Sequence, residues 1–322
     1  MREHAPGSNQ VDYKSETSAR TAFTTTREAA TLSLVPPAFA AMSKSPSPPK
    51  PGFPTASDQA LQRAELALQM KRLGEAEQLA STLFKANRSN VGAAVLLARA
   101  LMMQNRVDEA IPPLQRAARR GDDARVETLL GAALGAVGRR DEALDFLRKA
   151  TTRRPPFATA FLEYANQLSA SKRFGEAIAV LEDGLALVPD IVDLQLRLGS
   201  LYIGRNDRSK ARAVLVRAAA MAPMRPDILA ELGRLLALDG DYADAARRFR
   251  RALELRPDDA VCRANLGVCL MEMGDRTGGE ASLREAVHSR PEMFGRAIMS
   301  LAASSHGRFF LRPSAATKFL RT

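Results

Sequence analysis

The sequence predicts an all-α chain, an α-α superhelical solenoid of about seven helical hairpins, on three observations. An alanine recurs every 33 or 34 residues, at Ala76, Ala110, Ala143, Ala177, Ala211 and Ala245, and the next step lands on Gly279. A proline follows the later alanines by 12 residues, at Pro155, Pro189, Pro223, Pro257 and Pro291. A small residue keeps the same interval upstream, at Ala98, Gly131, Ala165, Gly199, Gly233 and Gly267. Self-similarity at this period marks stacked supersecondary units, each too small to bury its apolar face alone.

Residues 1–56 precede the periodic region. They are rich in Ser, Thr and Pro, poor in apolar periodicity, and end in Ser45-Pro46-Ser47-Pro48-Pro49-Lys50-Pro51, which predicts disorder or a polyproline-like linker. Seven units follow over 57–293: 57–90, 91–123, 124–157, 158–191, 192–225, 226–259 and 260–293. Unit 226–259 shows the pattern most clearly. Leu229, Leu232, Gly233 and Leu236 fall on one helical face, Gly240-Asp241 interrupts, and Ala245, Phe249 and Ala252 trace a second face that Pro257 ends. Small residues at unit positions 8 and 20 allow close helix approach. Position 24 carries the residue that fills the gap: Leu114, Leu147, Leu181, Leu215, Phe249 and Leu283.

Two units depart from this pattern. The first has Arg63 at position 7 and Arg88 in place of the proline. The second is one residue short before Gly121-Asp122-Asp123 and carries Pro112 and Pro113, which predicts a kink or a late start in its second helix and a bend in the superhelix. After the seventh unit, 294–304 predicts a capping helix with Ala297, Ile298, Leu301 and Ala302 on its apolar face. The remainder of 294–322 is a basic aromatic tail.

The spacing and residue types resemble the tetratricopeptide repeat, W-x2-L-G-x2-Y, then A-x3-F, then A and P. The resemblance covers about three quarters of the chain, with no Trp anywhere and Leu mostly replacing the aromatic of position 11, Tyr202 excepted. It implies a groove lined by first helices, with positions 2, 5, 6, 9 and 12 facing a polypeptide ligand. On that basis Arg99, Asn166, Arg197 and Arg234 are candidates for polar grip, with Leu162 and Leu196 supplying apolar area. Position 6 reads Glu163, Arg197, Glu231, Asn265 along the last four units, a row suited equally to an internal ion-pair ladder and to ligand contact. At position 9, Arg99 and Arg234 have no obvious partner in their own row and are the sharper candidates. The lysine and asparagine set with which chaperone adaptors of the family grip an acidic C-terminus is missing. So is the asparagine ladder of the nucleocytoplasmic N-acetylglucosamine transferase.

The net charge of +11 raises the question of a nucleic-acid partner. Units 57–293 hold 36 basic and 32 acidic residues, whereas 294–322 holds five basic residues and no acid, so the excess sits in the tail. Runs such as Arg247-Arg248 and Arg250-Arg251 fit a solvated outer face, with no interleaved aromatics for base stacking, and nucleic acid is disfavoured as a partner. The tail residues Arg308, Phe309, Phe310 and Arg312 suit either contact with an acidic partner or membrane surface, or packing back on the last hairpin.

No constellation of nucleophile, base and stabiliser stands out, and no phosphate loop, dinucleotide fingerprint or paired-cysteine zinc pattern occurs. The three histidines are isolated, and the 29 residues after 293 are too few for a catalytic domain. The expectation is a non-catalytic protein-interaction scaffold without cofactor or small-molecule substrate. Cys262 and Cys269 lie seven apart on one helix, roughly 10 Å at 1.5 Å per residue, too far for a disulfide. Arginine outnumbers lysine 38 to 9, suggesting GC-rich coding and a bacterial source. A cytoplasmic location is expected; Ala38-Phe39-Ala40 imitates the end of a secretory signal, but Glu28, the long polar lead and Pro36-Pro37 oppose that reading, and Met42 is an alternative start. Two alternatives stand: a periplasmic accessory subunit of an envelope or polysaccharide assembly machine, and a basic-tail binder of an anionic surface or nucleic acid.

Overall fold

The computed structural model describes residues 55–308 and 312–321; Ala38-Phe39-Ala40, Phe309 and Phe310 lie outside them. Among the described residues there are sixteen α-helices and no strand. The seven hairpins are α1 (Ala56–Gln69) with α2 (Leu73–Ala86), α3 (Val91–Met103) with α4 (Val107–Ala118), α5 (Ala124–Ala136) with α6 (Arg140–Thr152), and α7 (Ala158–Ala170) with α8 (Phe174–Leu187). They continue as α9 (Val192–Gly204) with α10 (Arg208–Met221), α11 (Pro226–Leu238) with α12 (Tyr242–Leu255), and α13 (Ala260–Glu272) with α14 (Arg276–Ser289). A 3-10 turn at Pro291–Met293 leads into α15 (Phe294–Ala303), and α16 (Pro313–Arg321) ends the described chain. Each second helix packs on the first helix of the next pair, and first helices also touch one another from α1 on α3 to α13 on α15. This is the helical solenoid that the periodicity predicts.

The clock residues explain the pairing. Ala76, Ala110, Ala143, Ala177, Ala211 and Ala245 are all fully buried, as are Leu114, Leu147, Leu181, Leu215, Phe249 and Leu283 at position 24. A Cβ on Gly131 would sit 2.5 Å from Leu147 Cγ, and one on Gly233 would sit 2.9 Å from the Phe249 ring. The small residue of the first helix is therefore the socket for the large residue of the second.

Within every hairpin the chain reverses at unit position 15, always in the left-handed region. Gly138, Gly240 and Gly274 hold φ of 84°, 84° and 89°, whereas Lys71, Asn105, Lys172 and Asn206 hold 57° to 62°. The following amide closes a six-residue loop onto the first helix, as Arg173 N–H to Leu168 O at 2.8 Å and Asp241 N–H to Leu236 O at 3.0 Å, a Schellman geometry. Glycine and asparagine tolerate this conformation, but a lysine Cβ strains it by about 1 kcal/mol. Lys172→Gly is therefore expected to raise stability by up to about 1 kcal/mol in chemical denaturation; an unchanged midpoint contradicts the strain.

Capping divides the array. Asp207, Asp241 and Asp275 cap α10, α12 and α14 through their side chains. In the first four units an arginine stands there instead and pairs with a glutamate three residues on: Arg72 with Glu75, Arg106 with Glu109, Arg139 with Glu142 and Arg173 with Glu176. The glutamate complements the helix N-terminus and neutralises the arginine that lacks a capping oxygen. These four arginines are thus charge-compensated at the starts of their own helices.

Three expectations need correction. Thr55 caps α1 with a capping box, so helix begins at Ala56, inside the segment read as disordered. The second helix of unit two starts on time at Val107 and runs on through Pro112 and Pro113. The carbonyls that lose their amide partners belong to Asp108 and Glu109, both exposed, where water can hydrogen-bond them. On α15, Ala297 and Leu301 are buried and Ile298 is half-buried, but Ala302 is exposed because α15 is covered on one side only.

The tail folds back. Ala316 and Leu320 of α16 are buried, and α16 lies against α14. The Phe319 ring is held between Arg284, 4.3 Å from its centroid, and Arg308, 4.6 Å away, while Arg284 Nε donates to the Phe319 carbonyl at 3.0 Å. Arg308 also reaches Glu280 at 3.2 Å. Arg312 is exposed. No helix among the described residues is long and apolar enough to cross a membrane.

Candidate partner-binding groove

Consecutive first helices form one continuous wall, and all six groove candidates lie on it. Leu162 and Asn166 are on α7, Leu196 and Arg197 on α9, Arg234 on α11 and Arg99 on α3, each half-buried. Leu162 and Leu196 already pack partly against the core beneath, so they form a floor with limited free area.

The electrostatics differ from expectation in two ways. Arg99 and Arg234 do have partners. Arg99 donates to both carboxylate oxygens of Glu65, at 2.9 and 2.8 Å, a residue at the same position of the preceding unit. Arg234 lies 2.7 Å from Glu231 on its own helix and 3.5 Å from the Ser200 carbonyl. The row at position 6 does not form a ladder: Glu163, Arg197 and Glu231 make no ion pair with one another within 4.0 Å among the described residues, and Asn265 accepts instead from Arg296 at 2.7 Å. Residues three apart on a helix are roughly 5–6 Å apart at Cβ, whereas packed helix axes are about 8–10 Å apart, so Glu231 turns to Arg234 and not to Arg197.

What results is an under-paired cluster on α9, α11 and α15. The Nε groups of Arg197 and Arg234 are buried without a hydrogen-bond partner among the described residues. Glu231 Oε2, though 2.7 Å from Arg234, is off the hydrogen-bonding direction and is likewise unsatisfied. Burial pushes the Glu231 carboxyl above its ordinary range against the opposing pull of Arg234, Ser200 and Arg197, and burial lowers Arg197 below the usual guanidinium range despite Glu231. Each buried polar group left unpaired costs about 1–3 kcal/mol. A recess of about 250 Å³ opens here, with Leu196, Ser200, Glu231, Arg234, Asn265 and Arg296 on its walls.

Arg296 escaped the sequence reading because the repeat resemblance stops at 293. Counting one more 34-residue step makes Phe294 position 1 of an eighth first helix, and that extension exposes Arg296 as a groove residue.

Among the described residues no group of three His, Cys, Asp or Glu side chains is placed to hold a metal. Cys262 and Cys269 are buried, and burial pushes their thiols up to about 12 and about 11. Both are therefore neutral below those values and expected to resist a thiol reagent until the array unfolds; rapid labelling of native protein contradicts this. With folded values raised above the ordinary thiol, their contribution to stability is complete below pH 9 and declines as pH rises toward 11 to 12.

A family model described as tetratricopeptide repeat matches residues 60–133 and 236–297, and a second model of the same description matches 196–260. No curated protein matches in sequence. Among solved structures, a chain of the APC/C hetero-tetramer Cut9-Hcn1 aligns with TM-score 0.56 at 19% identity over 82% of this chain; the match spans 55% of that longer chain. Pseudomonas aeruginosa pilF aligns with TM-score 0.54 at 21% identity, covering 62% of this chain and 92% of that one. At such identities the likeness is one of fold.

Proposed function

Because the chain belongs to the tetratricopeptide repeat family, a fold of protein-interaction scaffolds that is generally non-enzymatic, we propose that it is a non-catalytic adaptor holding a polypeptide segment in the groove of its first helices. The observation that carries this reading is the continuous wall of first helices, on which Asn166, Arg197 and Arg234 stand beside the half-buried Leu162 and Leu196. Apolar floor supplies contact area and the polar groups set register and specificity. The tail is a weaker candidate surface, since Arg308 already engages Glu280 and Phe319.

A photo-crosslinking side chain at Asn166 is expected to capture a polypeptide from the native cell, whereas the same group at Arg250, exposed on α12, captures none. Arg99→Glu with Arg234→Glu is expected to weaken that capture at least tenfold while leaving helicity unchanged. Separating Arg99 from Glu65, a half-exposed pair, costs about 0–1 kcal/mol. If the double variant keeps its partner and deletion of 294–322 loses it, the tail is the functional surface.

A further inference from the structure

The groove is not uniform in charge, and the difference suggests what its C-terminal half takes. Arg99 at the other end is satisfied by both oxygens of Glu65. Over α9 to α15, by contrast, the carboxylate of Glu231 pairs with Arg234 and feels Arg197 only at longer range. The other carboxylates at the recess have their own cations: Asp227 is held by Arg225 at 2.5 Å, which also holds Asp193 at 2.7 Å, and Asp259 lies 3.8 Å from Arg256. Arg296 has only the Asn265 amide oxygen, and Arg197 keeps a buried Nε with no acceptor among the described residues. Neither guanidinium has a carboxylate within 4.0 Å among the described residues.

We propose that the wall of first helices from α9 to α15, which includes this recess, binds an acidic stretch of a partner polypeptide, whose Asp or Glu side chains supply carboxylates to Arg197 and Arg296. This rests on the groove reading above and deepens it. Guanidinium forks match carboxylates in a bidentate geometry, and partial burial strengthens the pairing. Adjacent first helices lie about 8–10 Å apart, so the three steps from α9 to α15 cover roughly 25–30 Å. A single chain-terminal carboxylate meets one guanidinium of such a row, whereas an extended acidic run of about eight residues at roughly 3.3 Å each meets both ends. Leu196, Ala230 and Val261 line the same recess, which has no aromatic platform for bases, so a polypeptide fits better than a nucleic acid.

The test uses the full-length protein and a fluorescein-labelled, C-terminally amidated 12-residue peptide alternating Glu and Ala, read by fluorescence anisotropy. The expected result is binding at least tenfold tighter than to the Gln-for-Glu peptide. Arg296→Gln and Arg197→Gln should each weaken it threefold or more, and Arg250→Gln on α12 less than twofold. Glu231→Gln removes the internal competitor and should tighten binding, a change that a merely structural role does not produce. Arg296 is exposed, so its variant keeps the test valid if Arg197→Gln disturbs the fold. The proposal is overturned by equal binding of the Glu and Gln peptides, by equal losses for Arg250→Gln and Arg296→Gln, or by weaker binding in Glu231→Gln. Tighter binding of a 12-nucleotide single strand, or of a free-acid Gln peptide, overturns it too. Crosslinking at Asn166 that persists when the acidic peptide fails to bind leaves the groove reading standing and this inference refuted.

Discussion

Gly233→Trp is expected to destabilise the array by about 1 to 3 kcal/mol or more, because it drives an indole into a space already filled. A single Cβ at Gly233 meets the Phe249 ring at 2.9 Å, and Phe249 is the largest of the fully buried side chains. The reciprocal change, Phe249→Ala, leaves a cavity and should cost about 3–5 kcal/mol. A modest refill discriminates between packing and propensity. Gly233→Leu in the Phe249→Ala background should recover part of the loss, a non-additivity expected only of residues in contact. Thermal and urea unfolding followed by circular dichroism compare the wild type, Gly233→Trp, Phe249→Ala, Gly233→Leu and the double variant. An unchanged melting temperature for Gly233→Trp would mean that the register of small and large residues across the hairpin is wrongly assigned.

Truncation after Ser305 should lower stability on the order of 3 kcal/mol, since it uncovers the face of α14 on which Leu320 and Phe319 rest, and burying one such side chain contributes about 1.5–3 kcal/mol. It also removes Arg308 from Glu280, a buried carboxylate that retains Arg276 at 3.0 Å and Arg284 at 3.7 Å. The truncated protein should melt earlier and aggregate through the exposed end of the stack. Intact stability with lost association would instead make the tail a docking arm.

The fold was legible because a solenoid writes its core locally. Every residue that pairs α11 with α12 lies within one 34-residue unit, and the same positions recur, so Ala245 and Phe249 announce themselves in a single chain. The turn was only half legible. Gly240 signals a left-handed residue, but Lys172 adopts the same region because helix packing on both sides overrides its preference. The groove was legible as a set of positions and not as a set of pairings. Glu65 and Arg99 share one position in consecutive units, yet whether such residues meet depends on side-chain direction across a helix interface. At position 6 the same reasoning fails, because Glu231 has a nearer cation on its own helix.

Leu301 bears on how such a protein changes length over evolutionary time. In an eighth unit it would occupy position 8, where all seven preceding units place Ala or Gly as the socket for a second helix, and it is fully buried. A large side chain there turns the socket into a plug. Duplication of a hairpin upstream of α15 inserts a module whose joints all match, whereas a second helix grafted behind α15 would collide with Leu301 before it could seat. A further hairpin is therefore more readily accommodated within the stack than behind α15, where Leu301 is one obstacle and α16, seated on α14, is another.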